Sequence, residues 1–232
     1  MVDAENNLSR KRKLRNIFLS FLVTLIFISV LFIAAGSLAW IWGWVLVFVM
    51  LTGNTLGVVL LDPGLLEERT GVKSGYKRGD ALLAIIMGRL GPLAVIIVSG
   101  LDFRFGWSAP FPGALAVLGF VFLIIGYTPT LWAMRENRFF SSVVRIQKER
   151  GHYVITTGPY RIVRHPGYLG SVIYMLALPF ALASYWALVP VVATTIIAIV
   201  RTALEDHTLK RELEGYAQYA ERVRYRLLPG VW

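Results

Sequence analysis

Long apolar runs, separated by shorter polar stretches, dominate the hydrophobic pattern of this 232-residue chain. A transmembrane helix needs about 20 consecutive apolar residues, and most of the runs are close to that length. The pattern predicts six spans, at residues 17–35, 40–61, 81–101, 113–134, 168–183 and 187–203. The last two are short, ~25 Å at 1.5 Å per residue, which suffices for a thin or tilted hairpin. We therefore predict an all-α fold, a polytopic transmembrane helical bundle of about six spans.

The polar stretches predict where these helices end. Residues 62–80 are expected to form a loop, and residues 135–150 a helical extension of the fourth span. After the sixth span, apolar residues at helical spacing predict an amphipathic helix that reaches about Arg224. The chain is accordingly divided into four N-terminal spans, residues 1–134, and a C-terminal region, residues 135–232.

The composition agrees with a membrane protein. Apolar residues make up 56% of the chain and charged residues only 16%, which excludes an ordinary soluble domain. The formal net charge of +10 also occurs in nucleic-acid-binding proteins, but those proteins lack repeated apolar runs of about 20 residues. The absence of cysteine excludes disulfides, thiolate metal sites and a cysteine nucleophile.

Basic residues are distributed unevenly between the two sides of the predicted bundle. Five Lys and Arg residues precede the first span and seven lie in residues 135–166, whereas residues 102–112 contain one. The positive-inside rule then predicts cytoplasmic N- and C-termini. A signal peptide is the competing interpretation of the N-terminus, but the first apolar run is longer than the usual core of about 7–15 residues. We expect an integral, multi-pass protein of a prokaryotic inner (plasma) membrane.

The eleven residues 158–168, GPYRIVRHPGY, form a polar, turn-rich block between apolar segments. Its prolines and glycines fix the shape of the backbone, and Arg161, Arg164 and His165 supply charge and hydrogen bonds. A basic loop that contacts lipid headgroups is the alternative explanation. Such a loop needs no fixed order of histidine, proline and tyrosine, so the block indicates a site for a bound anion or cofactor.

The last predicted hairpin brings distant residues together. The fifth span leaves one membrane surface at Tyr168, and the sixth span returns to that surface at Arg201. Arg201, Glu205 and Asp206 are therefore expected near His165 and Tyr168. Because Arg201 and Glu205 share one helix face, one turn apart, they form either a structural ion pair or part of a polar pocket at the membrane surface.

The blocks GPYRIVRHPGYLG and RTALEDHTLKRELEGYAQYAERV resemble the isoprenylcysteine carboxyl methyltransferase family and its relatives among the phospholipid methyltransferases. The resemblance covers about residues 137–225. It implies a membrane-embedded enzyme that uses S-adenosylmethionine, with a cytoplasmic-side cofactor pocket formed by the C-terminal half. The implied acceptor is lipophilic or small: an isoprenylcysteine carboxylate, a lipid or a thiol. The bilayer is the other expected partner, and neither a nucleic acid nor a metal is implied.

The resemblance also implies roles for individual residues. Arg201 matches an arginine implicated with the substrate, and is the candidate catalytic residue. Glu205 matches a cofactor-binding glutamate, while Asp206 replaces a second glutamate of the family. The other candidate cofactor-binding residues are Gln147, His152, Tyr153, Val154, Ile155, Tyr160, His165, Pro166, Gly167 and Tyr168. The sequence departs from the family pattern in the spacing before His152, which is shorter, and in Ile155, where valine is common.

Two other classes of protein remain open at this point. Membrane sterol and steroid reductases share a similar C-terminal plan, including a terminal Tyr-Arg-x-x-Pro stretch. The last residues of this chain, YRLLPGVW, partly match that stretch. Those reductases usually carry His-Pro-Asn-Tyr, whereas Gly167 stands in the third position here, which favours the methyltransferase. A non-catalytic membrane scaffold is the other alternative, and cofactor binding distinguishes it from both enzymes.

Overall fold

A computed structural model describes residues 2–62, 65 and 78–232 of the chain. Within these residues every regular element is helical, and five helices are long and apolar enough to cross a membrane. A further apolar helix, of 16 residues, is shorter. The prediction of an all-helical membrane bundle with about six spans is confirmed. The predicted polar loop at 62–80 lies largely outside the described residues.

Eight α-helices make up the described part of the chain. They are α1 (Val2–Ala35), α2 (Ile41–Leu60), α3 (Arg78–Ile85), α4 (Gly91–Phe105), α5 (Gly113–Glu136), α6 (Pro166–Ala181), α7 (Leu188–Glu212) and α8 (Tyr216–Arg222). A π-helical turn, Ile86–Leu90, joins α3 to α4 into one span. Pro92 has no N–H to donate to the carbonyl of Gly88, and this missing bond accounts for the irregular turn.

The most extensive contact between helices joins α5 to α6. The two backbones meet at glycines: a Cβ on Gly126 would lie 2.5 Å from the nitrogen of Tyr174, and one on Gly170 would lie 2.4 Å from the carbonyl oxygen of Gly126. No larger side chain fits at either position without moving a backbone. This contact holds the beginning of α6, and hence the His-Pro-Gly-Tyr segment, against α5.

The turn between α6 and α7 is fixed by a buried carboxylate. Asp102, at the end of α4, accepts hydrogen bonds from the backbone N–H of Ser108 at 2.7 Å and from the Ser184 hydroxyl at 2.5 Å. The carboxylate is only 2% exposed. Because Ser184 lies in the turn itself, these bonds close the hairpin that returns α7 to the membrane surface from which α6 departs.

The predicted helical extension of the fourth span is wrong. Helix α5 ends at Glu136, and residues 137–147 continue without helix to a short 3₁₀ turn, Lys148–Arg150. Phe139 and Gln147 of this segment are buried, at 3% and 0% exposure. This burial, together with the low helix propensity of the Asn, Phe, Ser, Val and Ile residues in the segment, accounts for the irregular path.

The predicted amphipathic helix after the sixth span is also wrong as a single element. Helix α7 continues without a break from the membrane to Glu212. The chain then turns at Gly215, whose φ of +80° lies in the left-handed region that a right-handed helix does not contain. A separate short helix, α8, follows, and its Tyr216 and Tyr219 are buried.

Candidate functional site

A cavity of about 1350 Å³ lies at the end of the bundle where α5 ends and α6 begins. One part of its wall is polar and comes from residues 137–168 with α7 and α8, whereas the other part is largely apolar and comes from α1, α2 and α5. Ten of the twelve candidate site residues line it: His152, Tyr153, Val154, Ile155, Tyr160, His165, Gly167, Tyr168, Arg201 and Glu205.

Tyr168 is the centre of the polar wall. Its hydroxyl donates a hydrogen bond of 2.7 Å to Glu205 Oε2, and the guanidinium of Arg201 lies over its ring at 5.5 Å. The hairpin therefore brings Arg201 and Glu205 to Tyr168, as the sequence predicts. The second oxygen of Glu205 makes no hydrogen bond to the described part of the chain, so it is available to a ligand.

Arg201 is paired with a residue that the sequence does not single out. Its Nε donates to Asp80 Oδ1 at 2.8 Å, and its Nη2 donates to Asp80 Oδ2 at 3.2 Å. The possible ion pair with Glu205 is thus replaced by a contact with the first turn of α3. Both partners are nearly buried, with side chains 5% and 9% exposed.

Asp206 lies behind the cavity wall and connects five side chains. Its carboxylate is 1% exposed and accepts hydrogen bonds from Arg164 at 2.7 Å and Arg226 at 2.9 Å. The hydroxyl of Tyr216 donates to it at 3.1 Å, and His165 Nε2 lies 3.4 Å away. Lys210, the fifth partner, is 3.5 Å away and partly exposed. Asp206, which follows Glu205 in the sequence, therefore holds together the residues behind the wall and does not line the cavity itself.

His152 forms a flat aromatic part of the wall. Its ring stacks on Phe139 at 4.4 Å, and Tyr153 meets the same phenyl ring edge-on at 5.1 Å. Burial, together with the nearby Arg145 and Arg150, lowers the pKa of His152 to about 4. The imidazole is therefore neutral near pH 7. Its Nδ1 accepts the backbone N–H of Gln147 at 3.2 Å, so its Nε2 carries the proton and is a donor.

Gln147 and Pro166 do not line the cavity. The side chain of Gln147 is fully buried, donating to the carbonyl of Phe139 at 2.7 Å and accepting from Arg150 at 2.7 Å. It therefore shapes the turn that holds His152. Pro166 is the buried first residue of α6. A direct contact between either residue and a cofactor stays a prediction.

Tyr160 belongs to the polar wall and anchors the 3₁₀ turn Gly158–Arg161. Its hydroxyl accepts a hydrogen bond of 3.1 Å from Asn137, and its carbonyl accepts one of 2.7 Å from Tyr219. Burial raises the pKa of the Tyr160 phenol well above its usual value, so the group stays protonated at physiological pH.

Sequence reasoning missed three residues that shape this site: Asp80, Phe139 and Asn137. Asn137 directly follows α5, where its side chain also accepts the backbone N–H of Phe139 at 2.9 Å and turns the chain away from the helix axis. Asn137 at the helix end, followed after Arg138 by two phenylalanines, is the one local signal for this turn. Asp80 has no comparable signal, because its partner lies more than a hundred residues later in the chain.

The chemistry of the wall favours a ligand with a planar ring and hydrogen-bond donors. Stacked aromatic side chains accept a planar ring, and the Glu205 carboxylate accepts hydrogen bonds. Glu205 is the single acidic residue among the described residues of the cavity wall. The apolar part of the cavity, between membrane helices, is suited to a hydrocarbon chain. One cavity thus combines a polar compartment with an apolar one.

Comparisons with known proteins agree with the sequence motifs. Residues 114–214 match the phospholipid methyltransferase family. Protein-S-isoprenylcysteine O-methyltransferase B of Arabidopsis thaliana is 29% identical over 149 residues, which cover 61% of this chain and 70% of the plant protein. Protein-S-isoprenylcysteine O-methyltransferase of Saccharomyces cerevisiae is 42% identical over 55 residues, 23% of each chain.

Two further proteins are similar to this chain. A probable protein-S-isoprenylcysteine O-methyltransferase of Oryza sativa subsp. indica is 41% identical over 61 residues, which cover 26% of this chain and 32% of the rice protein. Among solved structures, the eukaryotic intramembrane Ras methyltransferase, an isoprenylcysteine carboxyl methyltransferase, aligns with 96% of this chain and 98% of its own. Its TM-score is 0.42 and its sequence identity 17%.

Proposed function

Since the chain belongs to the family of isoprenylcysteine carboxyl methyltransferases and phospholipid methyltransferases, we propose that its polar compartment binds S-adenosylmethionine and that its apolar compartment admits a lipophilic methyl acceptor. The chain is an integral membrane methyltransferase. The arrangement that carries the proposal is the Tyr168–Glu205 hydrogen bond on the wall of a cavity that continues between membrane helices. A scaffold protein requires no such cavity, and the family relationship favours the methyltransferase over the reductase.

The residues of the polar compartment fit S-adenosylmethionine. The neutral His152 ring, held against Phe139, offers a face and an N–H donor to an adenine ring. Val154 and Ile155 add apolar wall beside it. Glu205 has one oxygen available to hydroxyl or amino donors of the cofactor. Gln147 supports this wall from behind through the turn that carries His152.

The chain contributes to methyl transfer mainly by alignment. When bound, S-adenosylmethionine supplies a methyl group on a sulfonium, which an acceptor attacks in line. Tyr168 positions Glu205 through its hydroxyl and Arg201 through its ring. Arg201 is the group proposed to contact the acceptor. The apolar walls exclude water, which strengthens the polar contacts inside the cavity.

A lipophilic acceptor is proposed because the cavity extends between α1, α2 and α5. Its wall there includes Leu19, Val23, Phe48, Leu56, Ile124 and Leu131. These residues give a hydrocarbon chain surroundings like those of the bilayer, whereas they leave polar groups without hydrogen-bond partners, so they favour a lipid-like molecule over a small polar one. The acceptor is expected to reach the polar compartment from within the bilayer.

The cofactor assignment is tested by direct binding. Purified protein in detergent or nanodiscs is titrated calorimetrically with S-adenosylmethionine, S-adenosylhomocysteine and NADPH. We expect saturable binding of the first two, because the aromatic wall and Glu205 serve the adenosyl group. A response to NADPH alone would replace this proposal with the reductase, and no response to any of the three would support a scaffold.

The proposed orientation places both termini and the polar compartment in the cytoplasm. It is supported by the five basic residues before the first span and the seven in residues 135–166. Reporter fusions after Leu61 and after Ala183 are expected to lie on opposite sides of the membrane, with the first on the cytoplasmic side. The same compartment for both fusions would contradict the span count, and the reverse order would contradict the orientation.

A further inference from the structure

The N-terminal half of the chain, which carries no recognised motif, supplies the carboxylate that holds Arg201. Asp80 lies in the first turn of α3, and its carboxylate accepts two hydrogen bonds from Arg201, at 2.8 and 3.2 Å. Asp80 does not line the cavity, whereas Arg201 does. A ligand in the cavity therefore meets Arg201 and not the carboxylate that holds it.

Asp80 also holds the segment between α5 and α6. The backbone N–H of Val144 donates to Asp80 Oδ2 at 2.6 Å, and Arg201 Nη2 donates to the carbonyl of Ser142 at 2.7 Å. Three separate elements thus meet at this carboxylate: α3, α7 and residues 137–147. Displacement of the carboxylate would release the guanidinium and the backbone at Val144 together, whereas His152 is held separately by Gln147 and Phe139.

These contacts determine which edge of the guanidinium remains for a ligand. Nε and Nη2 are occupied by Asp80 and Ser142, and one face of the group lies over the ring of Tyr168. Nη1 makes no hydrogen bond to the described residues, and the side chain borders the cavity. Because Asp80 offsets the positive charge, Arg201 offers an acceptor two directed N–H groups on Nη1 rather than a free cation.

We propose that Asp80 is a positioning residue for methyl transfer, which fixes Arg201 so that Nη1 points to the acceptor. The inference rests on the proposed function. It adds Asp80, a residue of the third span, to the candidate site residues of the C-terminal half. It predicts that loss of the Asp80 charge disturbs acceptor use while the cofactor contacts of Glu205 and His152 remain.

The test is Asp80→Asn, measured with the full-length protein. Asparagine keeps the size of the side chain, but it accepts fewer hydrogen bonds and brings an NH₂ group against the donors of Arg201 or Val144. We expect kcat/KM for the acceptor to fall at least about tenfold, as for loss of a charge-assisted hydrogen bond. The affinity for S-adenosylmethionine should change less than about threefold. Glu221→Gln, which removes an exposed charge from α8, is the matched control.

A second measurement is independent of turnover. The Nε–H of Arg201, assigned by its loss in Arg201→Lys, should exchange slowly with solvent in the wild type because Asp80 binds it. In Asp80→Asn this exchange should accelerate at least about tenfold, since the proton then lacks its charged acceptor. Unchanged exchange would overturn the proposal, even if the acceptor or the cofactor is other than proposed.

If Asp80→Asn fails to fold, Asp80→Asn/Arg201→Gln removes both buried charges together, so that neither partner is left as an unpaired buried charge. This double variant is expected to bind S-adenosylmethionine with normal affinity and to show the low acceptor turnover of Arg201→Gln alone. Normal acceptor kinetics in either folded variant would show that the pair is only structural. Absence of cofactor binding by the wild type would instead contradict the proposed function.

Discussion

Replacement of Asp206 by asparagine is expected to destabilise the protein by about 3–5 kcal/mol, the usual cost of removing one partner from a buried ion pair. The variant keeps the shape of the side chain but leaves Arg164 and Arg226 without their carboxylate. The new NH₂ group would also face the donors that now converge on this position. For a chain of this length, such a loss lowers Tm by roughly 10 °C.

The measurement is thermal unfolding in detergent, with Glu221→Gln as the control for a charge lost from an exposed position. We expect Tm to fall by roughly 10 °C in Asp206→Asn and to change by less than about 2 °C in the control. A fall as small as that of the control would mean that the carboxylate does not hold the site together. Because His165 also contacts Asp206, cofactor affinity should fall in the folded fraction as well.

Replacement of Glu205 by glutamine is expected to weaken S-adenosylmethionine binding by roughly ten- to a hundredfold. The variant preserves shape and removes the negative charge, and a charged hydrogen bond contributes about 1.5–3 kcal/mol. Stability should change little, because the single hydrogen bond that Glu205 receives in the described structure comes from Tyr168. Calorimetric affinity and Tm, measured on the same preparation, separate the two effects.

Tyr168→Phe and Arg201→Lys complete this comparison. Tyr168→Phe keeps the ring under the guanidinium but releases Glu205, so a smaller loss of cofactor affinity, about threefold to tenfold, is expected. Arg201→Lys removes the planar fork and should lower turnover while cofactor affinity stays nearly normal. Equal losses of Tm in the Glu205 and Arg201 variants, with normal affinity in the folded fraction, would contradict the division between cofactor and acceptor contacts.

Much of the fold follows from hydropathy, because each apolar run is long enough to impose a span by itself. The approach of Arg201 and Glu205 to Tyr168 was also predictable from sequence, since a short hairpin must return to the surface it leaves. The Tyr168–Glu205 hydrogen bond of 2.7 Å confirms this geometry. At these positions the hydropathy of the sequence and the direction of each span were sufficient to predict the structure.

Other parts of the site depend on contacts that no local pattern records. Residues 137–147 directly follow α5, but the burial of Phe139 and the hydrogen bond from Val144 to Asp80 hold them in an irregular path. The partner of Arg201 was missed for the same reason. Spacing suggested Glu205, four residues away, whereas tertiary packing supplies Asp80 from another span.

Helix α7 carries Arg201 and Glu205 without interruption from the membrane to its end at Glu212. Four residues of α-helix advance about 6 Å, so the spacing of Arg201 and Glu205, the residues proposed to contact the acceptor and the cofactor, is set by helix geometry rather than by a loop. Natural divergence or laboratory evolution toward a new acceptor would accordingly leave this helix intact. It would proceed through the apolar wall residues of α1, α2 and α5, where a change of side-chain volume alters which molecule fits without shifting Arg201 or Glu205.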